Sequence, residues 1–341
     1  MQSDIEILNV DTPEMEVLEV ETVEVLGTDS TSTSGTEEVS IIKAYGEDLS
    51  SKEYITNPAI GRDNEINEMI LALITPDKGA MLVGKPGIGK TALVEGLGYR
   101  IQNNSVPEAL KGWNIIKINI TSLLGTTATG GNTEARIELL IQELKNCDKT
   151  ILFIDEVHLL VNKATSNNGI DFANMLKPAL DRGTIKMVGA TTTEEYETYI
   201  LRDRAFLRRF QKIEIAESAP EVVVQIMMGT YPKFEKKLNV KLPYTDFQKE
   251  NFFTFLVEMT SEYKRVYEVA SRYPDICLTI LANAFSYAVF ENASEVRINH
   301  IAKAIKHARN IYPDALTKEI EKFKIQFKDL LEEERVYFDE L

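Results

Sequence analysis

Cysteine is nearly absent from this 341-residue chain: Cys147 and Cys277 cannot make a disulfide framework, which points to a reducing compartment. Histidine is as scarce. Of His158, His300 and His307, the last two sit two helical turns apart, not at a ligand spacing, which argues against a histidine-built metal site. Long hydrophobic runs are missing too. The most apolar stretch, Ile151 to Val161, is interrupted by Asp155, Glu156 and His158, so no segment reads as a membrane span. The first residues are acidic, with no basic segment leading into an apolar one, and no secretory signal is expected. These absences lead us to expect a cytoplasmic protein with no membrane partner.

Positive charge is what the amino-terminal stretch lacks. Residues 1–50 hold 13 acidic side chains and one basic one, Lys43, leaving only −3 of the net −15 for the remaining 291 residues. Acids alternate with aliphatics in Glu14-Met15-Glu16-Val17 and from Val20 to Val25, then give way to the linker-like run Thr28 to Gly35. Two readings stand: a disordered, solvating tail, or a docking peptide that adds a strand to a partner or meets a basic surface.

From about Asn57 the pattern changes. Ile66, Met69, Ile70 and Leu73 lie on one helical face, and the chain turns before Pro76. Short apolar runs then recur at Ala80–Val83, Asn114–Ile120, Thr150–Ile154, Ile185–Val188 and Lys212–Ile215, separated by helical stretches such as Thr91–Ile101 and Glu134–Leu144. Five strands alternating with helices predict an α/β fold with a parallel sheet between helical layers. After Pro220 the periodicity is helical, with stripes such as Ile298, Ile301, Ala302 and Ile305. The expected organisation is an acidic tail over 1–50, an α/β domain over 51–218, a small helical lid domain over 219–312 and a charged, solvated carboxy-terminal helix over 313–341.

Gly84-Lys85-Pro86-Gly87-Ile88-Gly89-Lys90-Thr91 matches the phosphate-loop pattern G-x-x-x-x-G-K-[ST], between an apolar strand and a helix. The glycines let backbone N–H groups turn around a polyphosphate, toward which the helix aims its positive end. Lys90 would reach the β- and γ-phosphates, and the Thr91 hydroxyl would ligate Mg²⁺. The strand Ile151–Ile154 ends in Asp155-Glu156, a costly place for two carboxylates unless they have work. Asp155 can hold Mg²⁺ through water, and Glu156 can orient and deprotonate the attacking water. In Val188-Gly189-Ala190-Thr191-Thr192 one threonine, with Thr192 the preferred choice, can sense the γ-phosphate. Arg208-Arg209-Phe210 follows, and with the other three elements its arginines read as fingers offered to a neighbouring subunit's ATP.

In these motifs the sequence resembles the first ATPase domain of the Clp-type AAA+ unfoldases. The matching stretches are Asn57–Asp63, Gly84–Thr91, Ile151–His158, Asn174–Leu180, Gly189–Thr192 and Arg208–Lys212, in order, over roughly residues 52–310. The resemblance implies an AAA+ P-loop fold, with ATP and Mg²⁺ as cofactors and a homo-oligomeric, hexameric ring. It implies Ile60 and Gly61 beside the adenine, Gly84, Pro86, Gly87, Ile88, Gly89, Lys90 and Thr91 around the phosphates, and Thr91 with Asp155 on the metal. Glu156 becomes the catalytic base, Thr192 the sensor, and Arg208 and Arg209 the trans-acting fingers. His158 matches a family position as well, where packing is its expected role.

The sequence also departs from that family. The aromatic substrate-gripping loop is replaced by Ala128-Thr129-Gly130-Gly131, with Thr129 at the aromatic position, which weakens the case for forceful threading. An acidic tail is read where the family has a substrate domain, no second ATPase ring, coiled-coil insertion or protease-docking loop is expected, and Ile276 stands at the place of a customary lysine. The expectation is a minimal ATP-hydrolysing ring that remodels a protein client or assembly, recruited through residues 1–50 or an adaptor. A nucleic-acid motor or loader is the alternative, disfavoured by the acidic balance, and an ATP-timed assembly scaffold is a third reading.

Overall fold

The computed structural model describes residues 40–125, 133–161, 172–181, 185–267 and 272–338. The first helix and strand are short: α1 (Ile41–Tyr45) and β1 (Gly46–Asp48). Then come α2 (Asp63–Ile74), β2 (Gly79–Val83), α3 (Lys90–Gln102), β3 (Asn114–Ile118), α4 (Ile120–Leu124), α5 (Thr133–Asn146), β4 (Thr150–Ile154), α6 (Phe172–Asp181) and β5 (Lys186–Thr191). After α7 (Thr193–Thr198), α8 (Arg204–Leu207) and β6 (Phe210–Glu214), the described chain is helical: α9 (Pro220–Leu238), α10 (Asp246–Met259), α11 (Asp275–Phe290), α12 (Ile298–Lys306), α13 (Pro313–Gln326) and α14 (Lys328–Glu333).

The strands form one sheet in the order β1-β3-β4-β5-β2-β6, parallel except for β1. Every residue of β2 and β4 is buried, as their almost wholly apolar sequences require for strands covered on both faces. One core, containing Ile137, Leu140, Leu152 and Ile154, lies on one side of the sheet; the other, containing Ile66, Leu73, Leu97 and Phe153, lies on the opposite side. A third core, from Val223 to Phe338, belongs to the helical part.

The α/β architecture is as expected, with one strand more than the five anticipated. Gly46-Glu47-Asp48 pairs antiparallel with β3, Gly46 opposite Ile118 and Asp48 opposite Ile116. The acidic tail therefore does not run to residue 50. Ile41 and Leu49 are buried, and the Glu143 carboxylate gathers the Ser40 hydroxyl at 2.9 Å and the Ile41 and Ile42 N–H groups at 2.7 and 3.0 Å. A carboxylate there satisfies the donors that an α-helix leaves unpaired at its start.

The second correction is at the other end. Instead of a solvated helix, α13 buries Phe323 and α14 buries Leu331 in the helical core, with Phe327 between them and Phe338 after them. Phe327 stacks on Phe252 with ring centroids 4.7 Å apart, and Phe323 meets Phe255 edge-on at 5.2 Å. Each fully buried phenylalanine contributes about 2–3 kcal/mol by area, enough to override the charged residues between.

Candidate nucleotide site

The carboxyl ends of three adjacent strands carry the chemistry-bearing residues. Ile154 of β4 pairs with Gly189 of β5, and Val83 of β2 pairs with Thr191, so Asp155, Thr192 and Gly84 emerge side by side. Ligands in open α/β sheets bind at this edge.

Beyond β2 the chain turns through an exposed Pro86 into Gly87, whose φ of +76° is a region that L side chains avoid. A Cβ on Gly87 would also stand 2.9 Å from the Cβ of Asp275. The Gly84 N–H donates to Thr191 O at 3.3 Å, tying the loop to β5, and Ile88 is buried beneath it. Lys90 opens α3 and donates to the Gly84 and Lys85 carbonyls at 2.8 and 3.0 Å, closing the loop around its own ammonium. Burial pushes the Lys90 ammonium below its usual range, against the opposing pull of Asp155 and Glu195.

The Thr91 hydroxyl donates to Asp155 Oδ2 at 2.8 Å. Among the described residues no cluster of three His, Cys, Asp or Glu side chains could hold a metal. One hydroxyl and one carboxylate, both oxygen donors, fit Mg²⁺, which keeps waters and phosphate oxygens in its remaining positions. Glu156 stands next in line, exposed, with its backbone left-handed at φ +54° and its N–H donating to Asp155 Oδ1 at 3.1 Å. Thr192 is half-buried and caps α7: its hydroxyl accepts the Glu195 N–H, and Glu195 returns the contact to the Thr192 N–H. Thr191, by contrast, is 2% exposed.

These loops border a cleft of about 420 Å³, within the range of small-molecule sites. Its lining runs from Gly87–Thr91 and Asp155 to an apolar end made by Pro58, Ile60, Ile226 and Leu278. Gly61 is not in that lining. A Cβ there would stand 2.5 Å from Val222 Cγ1, so Gly61 lets α9 close over the loop that holds Ile60.

Sequence reasoning missed the wall supplied by the helical part: Ile226, Thr230 and Lys233 of α9, with Asp275 and Leu278 of α11. The three α9 residues share one helical face, but a face toward a cleft and a face toward a core have the same spacing. Burial holds the Lys233 ammonium below its ordinary range despite the pull of Glu95. Arg62, 8% exposed, was also missed. Its guanidinium donates to Ala216 O and Ser218 Oγ, both at 2.8 Å, and to Ile88 O at 3.3 Å, joining the phosphate loop to the segment after β6.

The two arginines before β6 part company. Phe210 pairs with Gly79, so Arg208 and Arg209 lie at the amino-terminal edge of the sheet, one strand length, about 17 Å, from the chain's own phosphate loop. Arg208 is exposed, whereas Arg209 is 6% exposed with its guanidinium on the Ala205 carbonyl. Both were expected to project as fingers; within the single chain Arg208 is exposed and Arg209 is packed against its own backbone. The Thr129 segment lies outside the described residues.

Comparison with known proteins agrees with this geometry. Residues 80–217 match the family model "ATPase family associated with various cellular activities (AAA)". The chaperone protein ClpB of Helicobacter hepaticus is 33% identical over 305 residues, 88% of this chain and 34% of that protein. ClpB of Aquifex aeolicus is 41% identical over 209 residues, 60% of this chain and 21% of its own length. The chain thus spans about a third or less of these relatives. Among solved structures, closed-state Hsp104 with ATPγS and FITC casein superposes with a TM-score of 0.67 at 30% identity, over 85% of this chain and 49% of that one. The ADP complex of S. cerevisiae Hsp104 gives 0.64 at 31% identity, over 77% and 44%.

Proposed function

From the premise that this chain belongs to the Clp-type AAA+ ATPases, we propose that it hydrolyses MgATP at the interfaces of a homo-oligomeric ring, a hexamer, and uses the cycle to remodel a protein client. In this reading ATP lies in the cleft with its base against Ile60, Ile226 and Leu278 and its phosphates in the Gly84–Thr91 loop. Lys90 offsets the charge on the β- and γ-phosphates. Thr91 and Asp155 hold Mg²⁺, which when bound draws electron density from the transferring phosphoryl group. Glu156 accepts the proton of the attacking water, and Thr192 orients the γ-phosphate by hydrogen bonding.

The observation that carries the ring is the placement of Arg208, exposed and a strand length from its own phosphate loop. It can meet a γ-phosphate only in another copy. A trans arginine contributes 10³–10⁵ in turnover, roughly 4–7 kcal/mol of barrier. Specific ATPase activity should therefore rise steeply with protein concentration and level off as assembly completes. Constant specific activity across that range, from a species that stays monomeric, would contradict the proposal.

The protein client is supported by the relatives: Hsp104 is solved with casein. A cytoplasmic setting agrees with the two free thiols, Cys147 and Cys277, and among the described residues no helix is long and apolar enough to cross a membrane.

A further inference from the structure

His158, for which only packing was expected, is 7% exposed. It lies two residues after Glu156, in the single 3-10 turn Val157–Leu160 that begins where the Glu156 backbone turns left-handed. Its Nδ1 is 3.2 Å from Thr191 Oγ1 and 3.1 Å from Glu195 Oε2. Its ring stacks on Tyr199, with centroids 6.0 Å apart and planes inclined by 24°.

Glu195 gathers the other side of this cluster. The same Oε2 accepts the Thr191 hydroxyl at 3.2 Å and the Thr192 N–H at 3.1 Å, while the Glu195 N–H donates to Thr192 Oγ1 at 3.2 Å. Burial by itself would raise the Glu195 carboxyl. The Thr192 hydrogen bonds, the electrostatic pull of the nearby His158 ring and the Thr191 hydroxyl outweigh it and hold the group below its ordinary range. The Glu195 charge is also felt at Lys90. One carboxylate thus touches both threonines at the end of β5, braces the imidazole beyond β4, and acts on the lysine beyond β2.

A histidine needed only to fill space here could be an aromatic hydrocarbon stacked on Tyr199. His158 instead spends its Nδ1 on the Thr191–Glu195 pair, a burial of polar atoms that costs stability unless the bonds are made. We propose that His158 and Glu195 are positioning residues, a brace that fixes the Glu156 backbone relative to Thr192 so that γ-phosphate contact and water activation are held in one geometry. Neither touches the reacting atoms. The proposal rests on the ATPase reading given above, and it concerns a step for which a misplacement of about 1 Å costs on the order of 10²-fold.

ADP supplies the internal control, because it fills the same cleft without a γ-phosphate. With the full chain, kcat and KM for ATP, ADP affinity and melting temperature are measured for the wild type, His158→Phe, His158→Asn and Glu195→Gln. Phenylalanine keeps the stack on Tyr199 and deletes Nδ1; asparagine restores a side-chain polar group near it; glutamine keeps an acceptor for the Thr192 N–H and removes the charge. The brace predicts that His158→Phe and Glu195→Gln lower kcat at least tenfold, with KM and ADP affinity within about threefold of wild type. His158→Asn should recover part of the lost kcat. Unchanged kcat in His158→Phe and Glu195→Gln, or ADP affinity falling in step with kcat, overturns the proposal. Should His158→Phe fail to fold, Glu195→Gln and His158→Asn carry the same comparison. A wild type without ATPase activity at assembling concentrations removes the premise itself, whereas an active wild type with unaltered variants removes the brace alone.

Discussion

Arg208 and Arg209 are adjacent and chemically identical, yet they are placed oppositely. The exposed Arg208 is free of the sheet's interior, while Arg209 is packed at 6% exposure with its guanidinium on a backbone carbonyl of its own chain. Truncation should separate them. Arg208→Ala should lower kcat by 10³-fold or more with an unchanged melting temperature. Arg209→Ala should cost about 0.5–3 kcal/mol of stability by removing a buried side chain and its bond to the Ala205 carbonyl, before any effect on turnover is considered. Thermal melts beside ATPase rates check this, and equal melting-temperature losses in both variants would count against it. The sequence marks these residues as a pair because its motif is a string of letters; exposure is decided by how α8 turns into β6. The phosphate loop and Asp155-Glu156 were legible for the opposite reason. There the chemistry demands glycines at fixed offsets and carboxylates at a strand end, and few other causes produce that pattern.

Elements were legible where periodicity was strong and hidden where it was not. The buried strands β2 and β4 announce themselves as almost wholly apolar runs, whereas β1 is Gly-Glu-Asp, three residues with no apolar side chain, held by its backbone ladder to β3. In α13 and α14 the charged residues are numerous, and the phenylalanines that seat the helices are too sparse to stand out. A buried polar residue in the same helical part gives a pH signature. His300 of α12 is 2% exposed, with Nδ1 accepting the Arg297 N–H at 2.9 Å and Nε2 3.2 Å from Glu291 Oε2. Burial pushes its imidazole below the ordinary value of 6.5, against the attraction of Glu291. The unfolded chain therefore binds the proton more readily. Stability from this site is full above a pH of about 6.5 and is lost as pH falls through that value toward the folded one. Melting temperature should drop more steeply between pH 7.5 and 5.5 in the wild type than in His300→Gln. Parallel slopes would show that His300 does not carry the dependence.

Across the whole molecule, the net charge of −15 is concentrated in residues 1–50, and the rest is close to neutral, so the body offers no general electrostatic attraction for a polyanion. The nucleotide cleft joins the two principal parts of the described chain: the sheet supplies Gly87–Thr91 and Asp155, the helices supply Ile226, Thr230, Lys233 and Asp275. Yet a single chain carries Arg208 at the opposite edge of its sheet. In the proposed ring each copy would be complete for binding and incomplete for turnover. The most direct test of this claim is subunit mixing. Lys90→Ala removes the phosphate lysine and leaves Arg208, while Arg208→Ala leaves the loop intact; each variant alone should be nearly inactive. Mixed in equal amounts at assembling concentration, they should recover ATPase activity at interfaces where an intact loop faces an intact Arg208. A mixture that co-assembles and remains as inactive as its components would contradict the shared site.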